Sequence, residues 1–115
     1  MNGTDPTLSV AFFRTASGNE PVCEWLKSLP REVRRSIGED IKTVQFGWPL
    51  GMPLVRKLEA GLWEVRSRSP DGIARLLFTT VGEGQMVLLH GFIKKSQRIP
   101  ADDLELARRR LRMVE

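Results

Sequence analysis

Between Leu62 and Arg98 the chain reverses twice within a few residues, and this constrains the fold more than any other feature. The run Leu62–Arg68 is followed by Ser69-Pro70-Asp71-Gly72, whose proline and Asp-Gly pair are tight-turn chemistry. Ile73–Val81 is rich in β-branched and aromatic residues and ends at Gly82-Glu83-Gly84. A third extended run, Gln85–Lys95, follows. A parallel pair needs a crossover of a dozen or more residues, so links this short make the neighbours antiparallel. The stretch is predicted to be an antiparallel meander.

Alternation sorts the side chains of that meander. Glu64, Arg66 and Arg68 point one way, while Trp63, Val65 and Ser67 point the other. Arg75 shares a face with Ile73, Leu77 and Thr79. His90, Phe92 and Lys94 share one face of the last strand, and Ile93 and Lys95 the other. Arg66, Arg68, Arg75 and one of Lys94 or Lys95 are therefore expected to converge. Permanent cations on a rigid sheet suit phosphate binding and suit a core poorly. The alternative is an open, solvated face of a two-layer fold.

The rest of the chain supplies what the meander packs against. Leu8–Phe13 is predicted as a further strand beside it. A short helix begins near Pro21, with Asn19 or Ser17 as its cap and Pro30 as its end. A second helix, about Arg31–Phe46, carries Val33, Ile37, Ile41 and Val44 as one apolar stripe. Gly47–Pro53 is a rigid connection, and Leu54–Leu58 is an extended segment leading into the sheet, with Arg56 and Lys57 adding to the basic set. The last helix, about Ala101–Met113, has Leu104, Ala107, Leu111 and Val114 as its stripe. Its aspartates lie in the first turn and its arginines near the end, as the helix dipole favours. The order is β-α-α-β-β-β-α. It describes one α+β domain over residues 1–115, a twisted antiparallel sheet of about four strands with the helices on one face and the other face partly open and basic.

Composition narrows the chemistry. The net charge is +4 over 115 residues, and the last 55 residues hold +3 of it, in the meander and final helix. That balance suits an anionic partner such as nucleic acid. A single Cys23 rules out an internal disulfide and a cysteine-based zinc site, and a single histidine rules out a histidine pair, so no metal or other cofactor is expected. No apolar run approaches the ~20 residues that cross a bilayer. The start MNGTDPTL lacks the basic and apolar regions of a signal peptide, so a cytoplasmic protein that does not engage membranes is expected.

Several of these residues form a recognisable pattern. Lys57-Leu58, Gly61-Leu62-Trp63-Glu64-Val65-Arg66, Arg75-Leu76-Leu77-Phe78 and His90-Gly91-Phe92-Ile93-Lys94-Lys95-Ser96-Gln97 with Pro100 resemble the HigB-like, phage-derived branch of the RelE/ParE toxin superfamily. The resemblance runs over nearly the whole chain, and its most specific part is LWEVR combined with HGFIKKSQ-x-x-P. It implies the toxin of a type II toxin–antitoxin pair, an endoribonuclease that cuts mRNA on the ribosome. The implied partners are a small helix-turn-helix antitoxin, the ribosome and mRNA.

Such cleavage turns a 2′-hydroxyl against the adjacent phosphate, and needs proton transfer and donors for the growing phosphate charge. By position, the resemblance implies that Arg75 stabilises the pentacovalent phosphate and that Lys94 or Lys95 is a second clamp or proton-transfer group. Arg66 and Arg68 would hold flanking phosphates; Arg56, Lys57 and Arg98 are further RNA-binding candidates, and Gln97 would hydrogen-bond a base edge or cap the next helix. His90, the one side chain that titrates near neutrality unperturbed, is the candidate general acid or base. Related sequences often carry a tyrosine where this chain has Phe78, and the chain has no tyrosine at all. The alternatives are a non-catalytic basic module binding RNA or an acidic protein segment, and a structural remnant of a phage gene.

Overall fold

A computed structural model describes residues 5–95 and 98–115. Five strands form one sheet: β1 (Ser9–Phe12), β2 (Val55–Glu59), β3 (Leu62–Ser69), β4 (Gly72–Val81) and β5 (Gln85–Lys94). Three helices accompany them: α1 (Pro21–Ser28), α2 (Arg31–Gly47) and α3 (Ala101–Val114). The sheet order is β1-β5-β4-β3-β2. β2 to β5 pair antiparallel with their neighbours, and β1 lies parallel to β5 over only four residues. The α+β reading holds. Leu54–Leu58, read as a lead-in, supplies a strand of its own, so the sheet has five strands where about four were predicted.

The meander is built as its turns require. Gly72 closes the β3–β4 turn at φ 137, and a Cβ there would lie 2.9 Å from the Lys94 carbonyl oxygen. A side chain is excluded on both counts. Leu77 faces His90 and Phe78 faces Leu88 across the β4–β5 pair, so Leu89 is the extra residue of a bulge. The Leu89 carbonyl oxygen accepts a hydrogen bond from Arg110 Nη1 at 2.8 Å, and the same guanidinium lies 5.3 Å over the Phe13 ring.

The sheet is covered on both faces, which corrects the expectation that all helices lie on one side. Val33, Ile37, Ile41 and Val44 of α2 and Val22 of α1 are buried against Val65, Ala74, Leu76, Phe78 and Leu88. Burying such a side chain contributes roughly 1.5–3 kcal/mol. Ser67, buried on this face, donates to Asp40 Oδ2 of α2 at 2.6 Å. On the opposite face Ala107 and Leu111 of α3 pack on Leu62, Leu77, Val87, Leu89 and Phe92. α3 covers only part of that face, and the uncovered part is where the arginines lie.

The start of α1 also differs from expectation. Its cap is Glu20, with no side-chain hydrogen bond, and Pro21 opens the helix. Asn19 and Ser17 are used one turn earlier: the Asn19 amide donates to Thr15 Oγ1 at 3.0 Å, and Ser17 Oγ lies 3.1 Å from the same hydroxyl. No helix among the described residues is long and apolar enough to cross a membrane.

Candidate functional site

The register of β2 to β5 places the basic residues in rungs on the face shared with α3. Arg56 stands opposite Glu64, Arg66 opposite Arg75, Arg75 opposite Phe92, and Arg68 and Lys94 on either side of Ile73. At the centre is Glu64, which is fully buried. Its Oε2 accepts from Arg75 Nη1 at 3.3 Å, while Oε1 lies 3.2 Å from Arg56 Nε and 3.7 Å from Arg66 Nε. The carboxylate is thus split in depth. One oxygen holds a guanidinium with no exposed surface, and the other is shared by two that reach solvent, with side-chain exposures of 35% for Arg56 and 14% for Arg66. These four groups together carry +2. A carboxylate taken out of water is tolerated only when paired; Glu64 is ion-paired through both oxygens and hydrogen-bonded through Oε2, to Arg75.

Two clefts flank the cluster. One, of about 440 Å³, is lined by Pro53, Arg66, Arg68, Ser69, Gly72 and Ile73. The other, of about 390 Å³, is lined by Arg56, Leu58, Glu59, Arg98, Ile99 and Leu104. A guanidinium from the central cluster reaches into each. Arg68, Lys94 and Arg98 are exposed. At the rim of the second cleft Arg108 and Glu59 form a two-toothed pair, with Arg108 Nη2 2.8 Å from Glu59 Oε1 and Nε 3.1 Å from Oε2. The hydrogen bond from Arg108 holds the Glu59 carboxyl below its ordinary range against a small opposing effect of burial, and raises the guanidinium in return. Arg110, under the bulge, is lowered by burial and by the neighbouring Arg109.

Set against the expected site, Arg56, Arg66, Arg68, Arg98 and Lys94 lie on or beside this face. Lys94 takes the rung of Ile73 and Arg68, which decides between it and Lys95, a residue just beyond β5. Three expectations are corrected. Arg75 has no exposed surface: it lies beneath Glu64 as part of the floor and is not poised to touch a phosphate. Lys57 faces the other way, its Nζ 5.8 Å from the Trp63 ring, because neighbouring residues of a strand point to opposite sides. His90 sits on the Leu77 rung, two strands or about 10 Å from Glu64, and its Nε2 is 2.7 Å from Asp103 Oδ1 of α3. Gln97 lies outside the described residues.

Glu64 is the residue that the sequence reading passed over. Its signal is the alternation itself, an acid in register with Arg66 and Arg68 on a face otherwise rich in cations.

Chemically, the face can hold anions. It offers guanidinium groups at several depths, which suit oxyanions with more than one free oxygen. Beside the arginines, its ionisable groups include Glu64, Lys94, Glu59 at the cleft rim, and His90, which is held by Asp103. Among the described residues no three of His, Cys, Asp and Glu come together as a metal site.

A comparison with curated proteins finds no match. A family comparison does: the profile of the phage derived protein Gp49-like family matches residues 24–112, from α1 to the last turn of α3, and so takes in every strand of the arginine face. That family is associated in general with toxins of the RelE and HigB kind. With the match spanning most of its length, the chain belongs to the Gp49-like family of phage-derived proteins.

Proposed function

We propose that the chain is the toxin of a type II toxin–antitoxin pair and cuts mRNA in the cytoplasm, on the ribosome, with a small helix-turn-helix protein as its antitoxin. The observation that carries this reading is the arginine cluster around Glu64 on the part of the sheet that α3 leaves open. Arg56 and Arg66 bind the phosphate to be cut, and Arg68 and Arg98 bind its neighbours. The 2′-hydroxyl gives its proton to solvent water as its oxygen attacks phosphorus, and the bond to the 5′-oxygen breaks, leaving a cyclic phosphate and a 5′-hydroxyl. The guanidinium groups offset the charge that gathers on the phosphate oxygens. Lys94, at the end of β5, protonates the departing 5′-oxygen, and the ribosome supplies the alignment of the RNA.

One observation favours a second reading, a basic module that binds RNA without cutting it. Proton-transfer groups are scarce on this face: His90 is engaged by Asp103, and the chain has no tyrosine.

Induced expression separates the two. Wild type and a variant with Arg66→Ala and Arg68→Ala are expressed side by side, growth is followed and mRNA ends are mapped. Arrest with new ends inside coding regions, abolished in the variant, supports the nuclease. RNA binding by the wild type without new ends supports the module, and a folded wild type that neither arrests growth nor binds RNA overturns both.

A further inference from the structure

Glu64 does more than neutralise a buried arginine. Its inner oxygen is committed to Arg75, which has no exposed surface. Its outer oxygen is divided between Arg56 and Arg66, at 3.2 and 3.7 Å through their Nε atoms. A single oxygen shared at these distances pairs two guanidiniums less well than the two free oxygens of a phosphodiester would. Both outer side chains reach solvent, and both border clefts in which a phosphate group fits.

We propose that Glu64 is an internal counter-anion that occupies the phosphate-binding arginines until RNA displaces it. This rests on the reading that the face takes phosphates. On binding, Arg56 and Arg66 turn outward from Glu64 to the phosphate, while Glu64 and Arg75 stay paired with each other. No buried charge is left alone by the exchange, because Glu64 and Arg75 keep one another. In the free protein the carboxylate keeps the arginines gathered and weakens capture of stray polyanions. Glu64 is thus a positioning residue that sets affinity, and it acts against binding.

The test is affinity for a labelled single-stranded oligouridylate of about ten nucleotides, a length that spans a groove of this kind. Two variants are compared with the wild type: Glu64→Gln, and Glu64→Gln combined with Arg75→Met. The second removes one charge of each sign, so the net charge is unchanged and no arginine is left buried without its carboxylate. It also serves if the single variant does not fold. Both are expected to bind about tenfold tighter, because the ion pairs to the outer oxygen of Glu64 no longer have to be given up. If the folded double variant binds as the wild type does, or more weakly, Glu64 only supports the site and this inference falls while the phosphate reading stands. If neither wild type nor variants bind the oligonucleotide at low salt, both fall.

Discussion

His90 Nε2 and Asp103 Oδ1 lie 2.7 Å apart and join the middle of β5 to the first turn of α3. Both side chains are mostly buried. The imidazole therefore fastens a helix to the sheet, on the same face as the arginines but two strands away from Glu64. Asp103→Asn should cost about 1 kcal/mol, the net worth of one such hydrogen bond, measured by denaturant unfolding. His90→Gln should leave oligonucleotide affinity unchanged within error. A marked drop in affinity at unchanged stability would return His90 to the site.

Arg75→Ala should destabilise the fold by about 3–5 kcal/mol, because it breaks a buried ion pair by removing one partner. The check is the denaturant midpoint, read before any assay of toxicity. A loss of growth arrest in this variant reports on catalysis only if the protein is shown to be folded.

Gly91→Ala addresses the packing of α1. A Cβ at Gly91 would fall within the van der Waals envelope of the Trp25 ring. The expected cost is about 1–3 kcal/mol, typical of overpacking. Trp25→Leu in the same chain should restore part of it, and a double-mutant cycle on thermal unfolding measures the recovery.

The Glu59–Arg108 pair gives an acid limb of known sign. Glu59 is held below its ordinary 4.5, chiefly by the Arg108 hydrogen bond. In the unfolded chain it takes up a proton at higher pH than in the folded one. Its contribution is therefore complete above pH 4.5 and is lost as pH falls through the lower folded value. Glu59→Gln should flatten stability against pH in that window and change little at neutrality. The effect should be small and shrink further with added salt, because both groups are substantially exposed.

Arg68 is exposed and borders the cleft with Arg66. Arg68→Ala should weaken single-stranded RNA binding about equally across sequences. It should also reduce the slope of log affinity against log salt by about 0.7, one phosphate contact, as read from titrations at several ionic strengths.

Much of the fold was legible because its periods are clean. The α2 stripe of Val33, Ile37, Ile41 and Val44 is buried as its spacing requires, and the alternation in the meander places Glu64, Arg66, Arg75 and Lys94 on one face. The position of α3 was mistaken although its signal was present. Leu76-Leu77-Phe78 and Val87-Leu88-Leu89 are unbroken apolar runs, and such strands are buried on both faces. Part of the site was beyond sequence reasoning. Whether a basic side chain at a given parity lies on the floor or at the rim depends on the strand that carries it and on its pairing: Arg75 sits on the central β4 against Glu64, while Arg66 on β3 reaches solvent. Likewise, the pairing of His90 with Asp103 depends on the angle at which α3 crosses β5.

The shortness of β1 has a consequence for life in a crowded solution. Beyond Leu88, the outer margin of β5 has no neighbouring strand among the described residues. Bare strand margins template the addition of strands from other molecules. Here the Leu89 carbonyl is taken by Arg110 of α3. A cation thus acts as a stopper on a hydrogen-bonding group that would otherwise be open to further copies, and it is supplied by a helix that contributes nothing to the sheet itself.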